Sequence, residues 1–112
     1  MKLVTAVIQP FVLDDVQKSL VRFGIKGMTV SEVSGYARQR GHKEVYRGET
    51  LQIDFILKVK LEILCSDDDA AGIIKIITDA ARTGEVGDGK VWVTPVETVV
   101  RVRTGESGDE AV

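Results

Sequence analysis

A strand, a helix and a second strand are predicted in the first third of this chain of 112 residues. Residues 2–9 and 28–33 are rich in β-branched and other apolar side chains, which favours strands. Between them Pro10 ends the first strand pattern. The helix is indicated by apolar residues at helical spacing and by a terminating glycine: Val16, Leu20, Phe23 and Gly24.

The same succession returns in the second half, with a clearer strand. Residues 58–65 alternate strictly, and the apolar face of this strand comprises Val59, Leu61, Ile63 and Cys65. Ser66 and three aspartates then favour a helix start, an apolar stripe follows, and Gly84 predicts its end. Residues 90–93 predict a further strand, and residues 100–103 a last short one.

Two strand–helix–strand units predict a single α+β domain over residues 1–112, with a ferredoxin-like β-α-β-β-α-β order and both helices on one sheet face. The opposite face also carries apolar residues such as Leu64, which favours packing between subunits. Residues 37–55 have no apolar period and predict a long exposed loop, which in a small domain is usually functional or disordered. The polar tail, residues 105–112, is predicted to be mobile.

Charge and cysteine content exclude several function classes. The chain has 15 basic and 17 acidic residues, a net charge of −2, which argues against general affinity for nucleic acid. A single cysteine excludes an internal disulfide and suits a reducing compartment. Because there is no long apolar run and no signal-peptide pattern, we expect a soluble, cytoplasmic protein.

The strongest chemical signal is the glycine-rich loop, residues 83–90 (TGEVGDGK). Closely spaced glycines let the backbone approach a phosphate and direct N–H groups at it, and Lys90 adds a positive charge. The spacing is not that of a Walker A motif. The residues alone leave two interpretations open, a phosphate site and an ordinary turn between helix and strand.

Two further basic groups could meet an anion. Arg101 and Arg103 share one face of the predicted last strand, where paired guanidinium groups suit phosphate oxygens or a salt-bridged edge equally well. Arg38 and Arg40 lie at one root of the long loop and Lys58 at the other, where they could hold a phosphate or carboxylate or simply form an ordinary charged loop. The lone His42 has no ligand set for zinc, and no nucleophile motif is present.

Three blocks of sequence together resemble the nitrogen regulatory P-II family over residues 1–106. They are residues 27–48 (GMTVSEVSGYARQRGHKEVYRG), residues 83–93 (TGEVGDGKVWV) and residues 100–106 (VRVRTGE). The resemblance implies a homotrimer of ferredoxin-like subunits with ATP or ADP in the cleft between neighbours. It implies that Glu62 lies near the adenine, that Leu64 acts through its backbone, and that Arg101 and Arg103 reach across from the next subunit. The full implied nucleotide set is Gly27, Met28, Thr29, Gly35, Ala37, Arg38, Gln39, Glu62, Leu64, Gly87, Asp88, Gly89, Lys90, Arg101, Val102 and Arg103.

The resemblance also implies an effector and a partner. 2-Oxoglutarate would bind beside Mg²⁺-ATP at the loop root, with Gln39 contacting the metal and Lys58 pairing with the distal carboxylate. The implied 2-oxoglutarate set is Gln39, Arg40, Gly41, Lys58 and Gly87. The long loop would change conformation with the ligand bound and dock on an ammonium transporter, a nitrogen-assimilation enzyme or a regulator. Its implied partner-binding residues are Tyr46, Arg47 and Leu51, and membrane contact would occur only through a transporter.

Several positions depart from the family pattern. Leu51 replaces the modifiable tyrosine and Glu49 a serine that is phosphorylated in some relatives, which predicts a protein controlled by ligands alone. Ala37 replaces a glycine at the loop root, and Gln9 replaces a lysine near the metabolite site. These changes leave open a divergent member that senses adenylate energy charge, or another small acid, and regulates a non-nitrogen target.

Two other classes compete with a sensor. A nucleotide hydrolase would need a base, for which Glu62 is the only candidate, so we expect no enzyme. RNA-recognition domains share the strand–helix order but need exposed aromatic residues on the central strands, and residues 58–65 have none.

Overall fold

A computed structural model describes residues 1–36, 45–46, 50–51 and 55–112. Two helices, α1 (Leu13–Phe23) and α2 (Asp67–Ala81), pack on a sheet. The strands are β1 (Lys2–Ile8), β2 (Thr29–Gly35), β3 (Val45–Tyr46), β4 (Thr50–Leu51), β5 (Ile56–Cys65) and β6 (Gly89–Pro95). Short 3-10 helices cover Pro10–Val12 and Gly108–Ala111. No helix in these described parts is long and apolar enough to cross a membrane.

The main sheet has the strand order β2-β5-β1-β6 and is antiparallel throughout. In its register Ile8 lies opposite Val59 on one side and Gly89 on the other, and Lys2 lies opposite Cys65 and Pro95. This order, with both crossovers made by helices, confirms the predicted ferredoxin-like α+β fold.

The core lies between the helices and one face of the sheet. As the alternation predicts, Val59, Leu61, Ile63 and Cys65 are at most 5% exposed. Neighbouring strands and both helices complete the layer with Val4, Ala6, Ile8, Val12, Val16, Leu20, Ala70, Ile73, Ile77 and Ala81. Burial raises the pKa of the Cys65 thiol, which keeps it neutral and confirms the role of a small core residue.

The opposite face of the sheet, which we call the open face, has no helix against it among the described residues. Leu64 is 41% exposed there and Trp92 43% exposed. Thr29, Glu62, Thr5 and Trp92 lie side by side across its four strands. Since Trp92 is the only tryptophan, its fluorescence reports on this face alone. Packing between subunits on the open face stays a prediction.

Gly24 ends α1 in the left-handed conformation that the sequence predicts. Its φ is +105°, and its N–H donates to the carbonyls of Leu20 and Val21. A side chain at this φ is strained although nothing lies within 4 Å of the added Cβ.

We therefore expect Gly24→Ala to lower the free energy of unfolding by about 1 kcal/mol. Gly27→Ala is the matched control, since Gly27 has an ordinary φ and an equally empty surrounding, and it should change stability less. Urea unfolding followed by Trp92 fluorescence measures both variants. Equal effects of the two substitutions would contradict the conformational explanation.

The C-terminal segment differs from the prediction. The last short strand is wrong: Val100 forms only an isolated bridge to Ser107, and residues 102–104 form a turn. The turn closes because Arg101 N–H donates to the Glu106 carbonyl and Gly105 N–H to the Arg101 carbonyl, both at 2.8 Å. Arg101 and Arg103 therefore do not share a strand face. The tail beyond forms the 3-10 helix Gly108–Ala111, and its mobility stays a prediction.

Two further boundaries also differ. α2 ends at Ala81, with Arg82 in an extended conformation, so Gly84 belongs to the loop and does not cap the helix. Within the predicted long loop, β3 pairs with β4 in a two-residue ladder that the sequence did not predict.

Candidate functional site

The glycine-rich loop joins α2 to β6 and is held by its own side chains. The Asp88 carboxylate accepts hydrogen bonds from the Thr83 N–H at 2.8 Å, the Gly84 N–H at 2.9 Å and the Thr83 hydroxyl. The Thr83 hydroxyl oxygen accepts the Glu85 N–H at 3.2 Å. These donors hold the pKa of Asp88 below its ordinary value, the Thr83 hydroxyl most strongly. The carboxylate therefore stays ionised and bound to its own loop.

Gly89 brings the end of this loop against β1. Its φ is +111°, and a Cβ added there would lie 1.9 Å from the Val7 carbonyl oxygen. Gly87 has a φ of +99°. The two glycines thus allow a path that side chains would block, as the sequence analysis argued for a phosphate loop.

Lys58 connects the long loop to the glycine-rich loop. Its Nζ donates to the Gly87 carbonyl at 2.6 Å, in a partly buried position. Lys58 lies near the start of β5, just after the long loop ends, so the distal root of that loop is tied directly to the phosphate-binding candidate. Gly35, at the end of β2, pairs with Ile56 beside it.

Several backbone donors face this corner. Among the described residues, the N–H groups of Val86 and Gly87 have no hydrogen-bond partner. Lys90 follows on β6 and is exposed, opposite Val7. Unpaired N–H groups beside two ammonium groups form the kind of nest that binds anions. This corner of the sheet therefore suits a phosphate or carboxylate.

The remaining candidates divide between the middle and the far end of the sheet. Thr29 lies opposite Glu62 at mid-sheet on the open face, with Leu64 two residues further along. Gly27 and Met28 precede Thr29 and lie toward the end that carries Lys2 and Pro95. Arg101, Val102 and Arg103 follow β6 at that same end.

The arginine segment follows the end of β6 that is opposite the glycine-rich loop. β6 runs seven residues from Gly89 to Pro95, which separates its ends by roughly 20 Å at the usual strand rise. Arg101 is also engaged locally, with its guanidinium on the Glu106 carboxylate and on the Glu110 carbonyl. Arg103 is exposed. Among the described residues, the side-chain contacts of Arg101 are therefore with the C-terminal segment and not with the glycine-rich loop.

Some predicted residues lie outside the described residues. They are Ala37, Arg38, Gln39, Arg40, Gly41 and Arg47, and Gln39 is the predicted metal contact. For Tyr46 and Leu51 the structure gives the backbone of β3 and β4 only. Within the described part of the chain, no group of three or more acidic, histidine or cysteine side chains could hold a metal ion.

Thr83 was not among the functional residues predicted from sequence, and the resemblance implied that Asp88 binds nucleotide. A threonine followed by glycine, and five residues later by an aspartate beside another glycine, is the pattern that could have indicated the loop closure. Short polar side chains near glycines commonly bind their own backbone, and this contact is the result.

Known proteins resemble this chain over its full length. The family model described as "Nitrogen regulatory protein P-II" matches residues 1–106. The chain is 51% identical to "Nitrogen regulatory protein P-II" of Azospirillum brasilense over 112 residues, covering all of both chains. It is 52% identical to the protein of that name in Nostoc punctiforme and 46% identical to "Nitrogen regulatory protein GlnK" of Escherichia coli K12, again over the full length of each chain.

Proposed function

The chain belongs to the nitrogen regulatory protein P-II family, and on that premise we propose that it is a homotrimeric signal transducer that binds ATP or ADP and 2-oxoglutarate. It acts in the cytoplasm, as a regulator and not an enzyme, on an ammonium transporter or on an enzyme or regulator of nitrogen assimilation. The observation that carries the proposal is the contact of Lys58 with the Gly87 carbonyl at 2.6 Å. That contact joins the root of the long loop to the phosphate-binding corner.

The corner fits a nucleoside polyphosphate. The N–H groups of Val86 and Gly87 and the Lys90 ammonium supply donors and positive charge for the phosphates. Thr29, Glu62 and the backbone at Leu64 supply polar groups along the open face for the base and ribose of the nucleotide. Mg²⁺ would be held by the phosphates and Gln39, where it neutralises charge.

Two features of the chain favour the homotrimer of this proposal. The resemblance implies that Arg101 and Arg103 reach across from the next subunit, where their guanidinium groups would bind the phosphates of a nucleotide at a neighbouring copy's corner. The half-exposed apolar side chains of the open face, Leu64 and Trp92, give such copies a surface to bury.

Lys58 provides the signal path in this proposal. A dicarboxylate beside the nucleotide would draw the Lys58 ammonium to its distal carboxylate, in competition with the Gly87 carbonyl. Because Lys58 is the third residue of β5, which follows the long loop, a change of its partner would change the root of that loop. Ligand occupancy thereby selects between loop states for which the ligand has different affinity.

We expect calorimetry to show 2-oxoglutarate binding in the presence of Mg²⁺-ATP and none in its absence. Lys58→Met should weaken 2-oxoglutarate binding about tenfold to hundredfold, because a hydrogen bond to a charged group is lost. Lys75→Met is the matched control, since Lys75 is an exposed helix residue away from the site, and it should bind as wild type.

The possible outcomes test nucleotide binding and 2-oxoglutarate binding separately. Wild-type protein that binds neither ATP nor ADP would refute the sensor function altogether. Nucleotide binding without any 2-oxoglutarate heat would refute the metabolite part and favour the alternative suggested by Gln9 and Ala37, a sensor of adenylate energy charge or another acid.

A further inference from the structure

Asp88 contributes a negative charge at a corner that otherwise suits anions. It lies between Gly87 and Gly89 in the glycine-rich loop, one residue from an unpaired N–H group. A carboxylate that simply faced the phosphates would repel them. The family resemblance placed Asp88 among the residues that bind nucleotide, and its contacts in the structure point to a different task.

Both oxygens of the Asp88 carboxylate are used by the loop itself. Oδ2 accepts the Thr83 and Gly84 N–H groups at 2.8 and 2.9 Å, and Oδ1 accepts the Thr83 hydroxyl. These bonds span four and five residues and close residues 83–88 into a ring. Three donors on one carboxylate disperse its charge, so the repulsion toward a neighbouring phosphate falls.

The closed ring determines which N–H groups remain unpaired. The amides of Thr83, Gly84 and Glu85 are used inside the ring, whereas those of Val86 and Gly87 have no partner among the described residues. Lys58 holds the Gly87 carbonyl from the other side and thereby orients the peptide that follows. The ring and Lys58 together restrain the one stretch of backbone that has free donors.

We propose, resting on the nucleotide site proposed above, that Asp88 is a positioning residue: its carboxylate closes the glycine-rich loop so that the Val86 and Gly87 N–H groups meet a polyphosphate, and the carboxylate itself contacts neither the nucleotide nor its metal. The Thr83 hydroxyl is the second part of this closure, because it both donates to Asp88 and accepts from Glu85.

The direction in which one substitution changes nucleotide affinity tests the proposal. Asp88→Asn keeps the shape but replaces one accepting oxygen by an NH₂ group, which opens the ring. We expect the variant to bind both ADP in EDTA and ATP with Mg²⁺ about tenfold more weakly, because the closed loop conformation that binds nucleotide becomes a minor state. Asp68→Asn, in the first turn of α2, removes the same charge at the end of that helix opposite the loop and should leave both affinities unchanged.

Hydrogen exchange supplies a readout that needs no ligand. In the unliganded protein we expect the Thr83 and Gly84 amides of Asp88→Asn to exchange at least about tenfold faster than in wild type, since their acceptor is lost. Thr83→Val should show a smaller loss of affinity, and Thr83→Ser, which retains the hydroxyl, should restore wild-type binding.

Each contrary result has a separate meaning. Unchanged or tighter nucleotide binding by Asp88→Asn would overturn the positioning role, because charge removal alone strengthens anion binding. A loss seen only with Mg²⁺ would overturn it in favour of a metal contact. Wild-type protein that binds no nucleotide would instead refute the proposed function, a failure distinct from that of Asp88.

Discussion

Gly89→Ala is expected to lower the free energy of unfolding by about 2–5 kcal/mol and to abolish nucleotide binding, the sum of a strained backbone and an overpacked contact. The added Cβ would meet the Val7 carbonyl oxygen at 1.9 Å, and that atom belongs to a central strand that cannot rotate away. β6 would have to separate from β1 at the end where the phosphate corner forms. Such a loss is a large share of the stability of a small domain.

Gly84→Ala separates the two causes. Gly84 lies in the same loop with a φ of +91°, but nothing lies within 4 Å of its added Cβ. We expect this variant to lose only about 1 kcal/mol, the cost of the left-handed conformation. Urea unfolding followed by Trp92 fluorescence measures both. A Gly89→Ala variant as stable as Gly84→Ala would show that the close approach to Val7 does not constrain the fold.

Two leucines on β5 should respond very differently to truncation. Leu61 is fully buried under the helices, whereas Leu64 is 41% exposed on the open face. Leu61→Ala should lower the free energy of unfolding by about 2–5 kcal/mol, because it leaves a cavity in a packed core. Leu64→Ala should lower the stability of the isolated chain by about 1 kcal/mol or less.

The same pair tests assembly through the open face. If copies pack there, the Leu64→Ala deficit should grow with protein concentration, because association stabilises only the wild-type surface. Unfolding at two concentrations tenfold apart, with light scattering for the mass, makes the comparison. A deficit that is the same at both concentrations, with an unchanged mass, would contradict assembly through this face.

The fold was predictable where periodicity has a single physical cause. The alternation of residues 58–65 identified β5 and its buried face, because a strand with one covered face must alternate. The left-handed Gly24 was predictable for a similar reason, since few other residues tolerate that φ. Neither feature depends on distant parts of the chain.

The C-terminal arginines were not predictable in the same way. Alternating valines and arginines indicated a strand, but in the described part of the chain residues 100–103 pair only through the single Val100–Ser107 bridge. A local pattern cannot report whether a partner strand exists. The Arg101 guanidinium instead donates hydrogen bonds to the Glu106 carboxylate and to the Glu110 carbonyl.

The residues that form the candidate site were predictable from the sequence, but what each of them does there was not. Glycine spacing and Lys90 indicated an anion site, and the resemblance indicated Lys58. Which donors are used within the loop depends on how the ring of residues 83–88 closes, a property of three-dimensional geometry. Asp88 was therefore assigned to the ligand, although the structure places its carboxylate on Thr83 and Gly84.

The separation of the two ends of β6 has a genetic consequence under the proposed assembly. Each site would take its glycine-rich loop from one copy and its arginines from another. A substitution that inactivates Arg103 would then impair the site of a neighbouring copy and leave the glycine-rich loop of its own chain intact. A substitution that inactivates Lys90 would impair the site at its own loop and leave its arginines able to serve a neighbour. Inactive alleles of these two kinds, expressed together, would complement one another by forming mixed trimers with some sites intact, whereas either allele would be partly dominant over wild type.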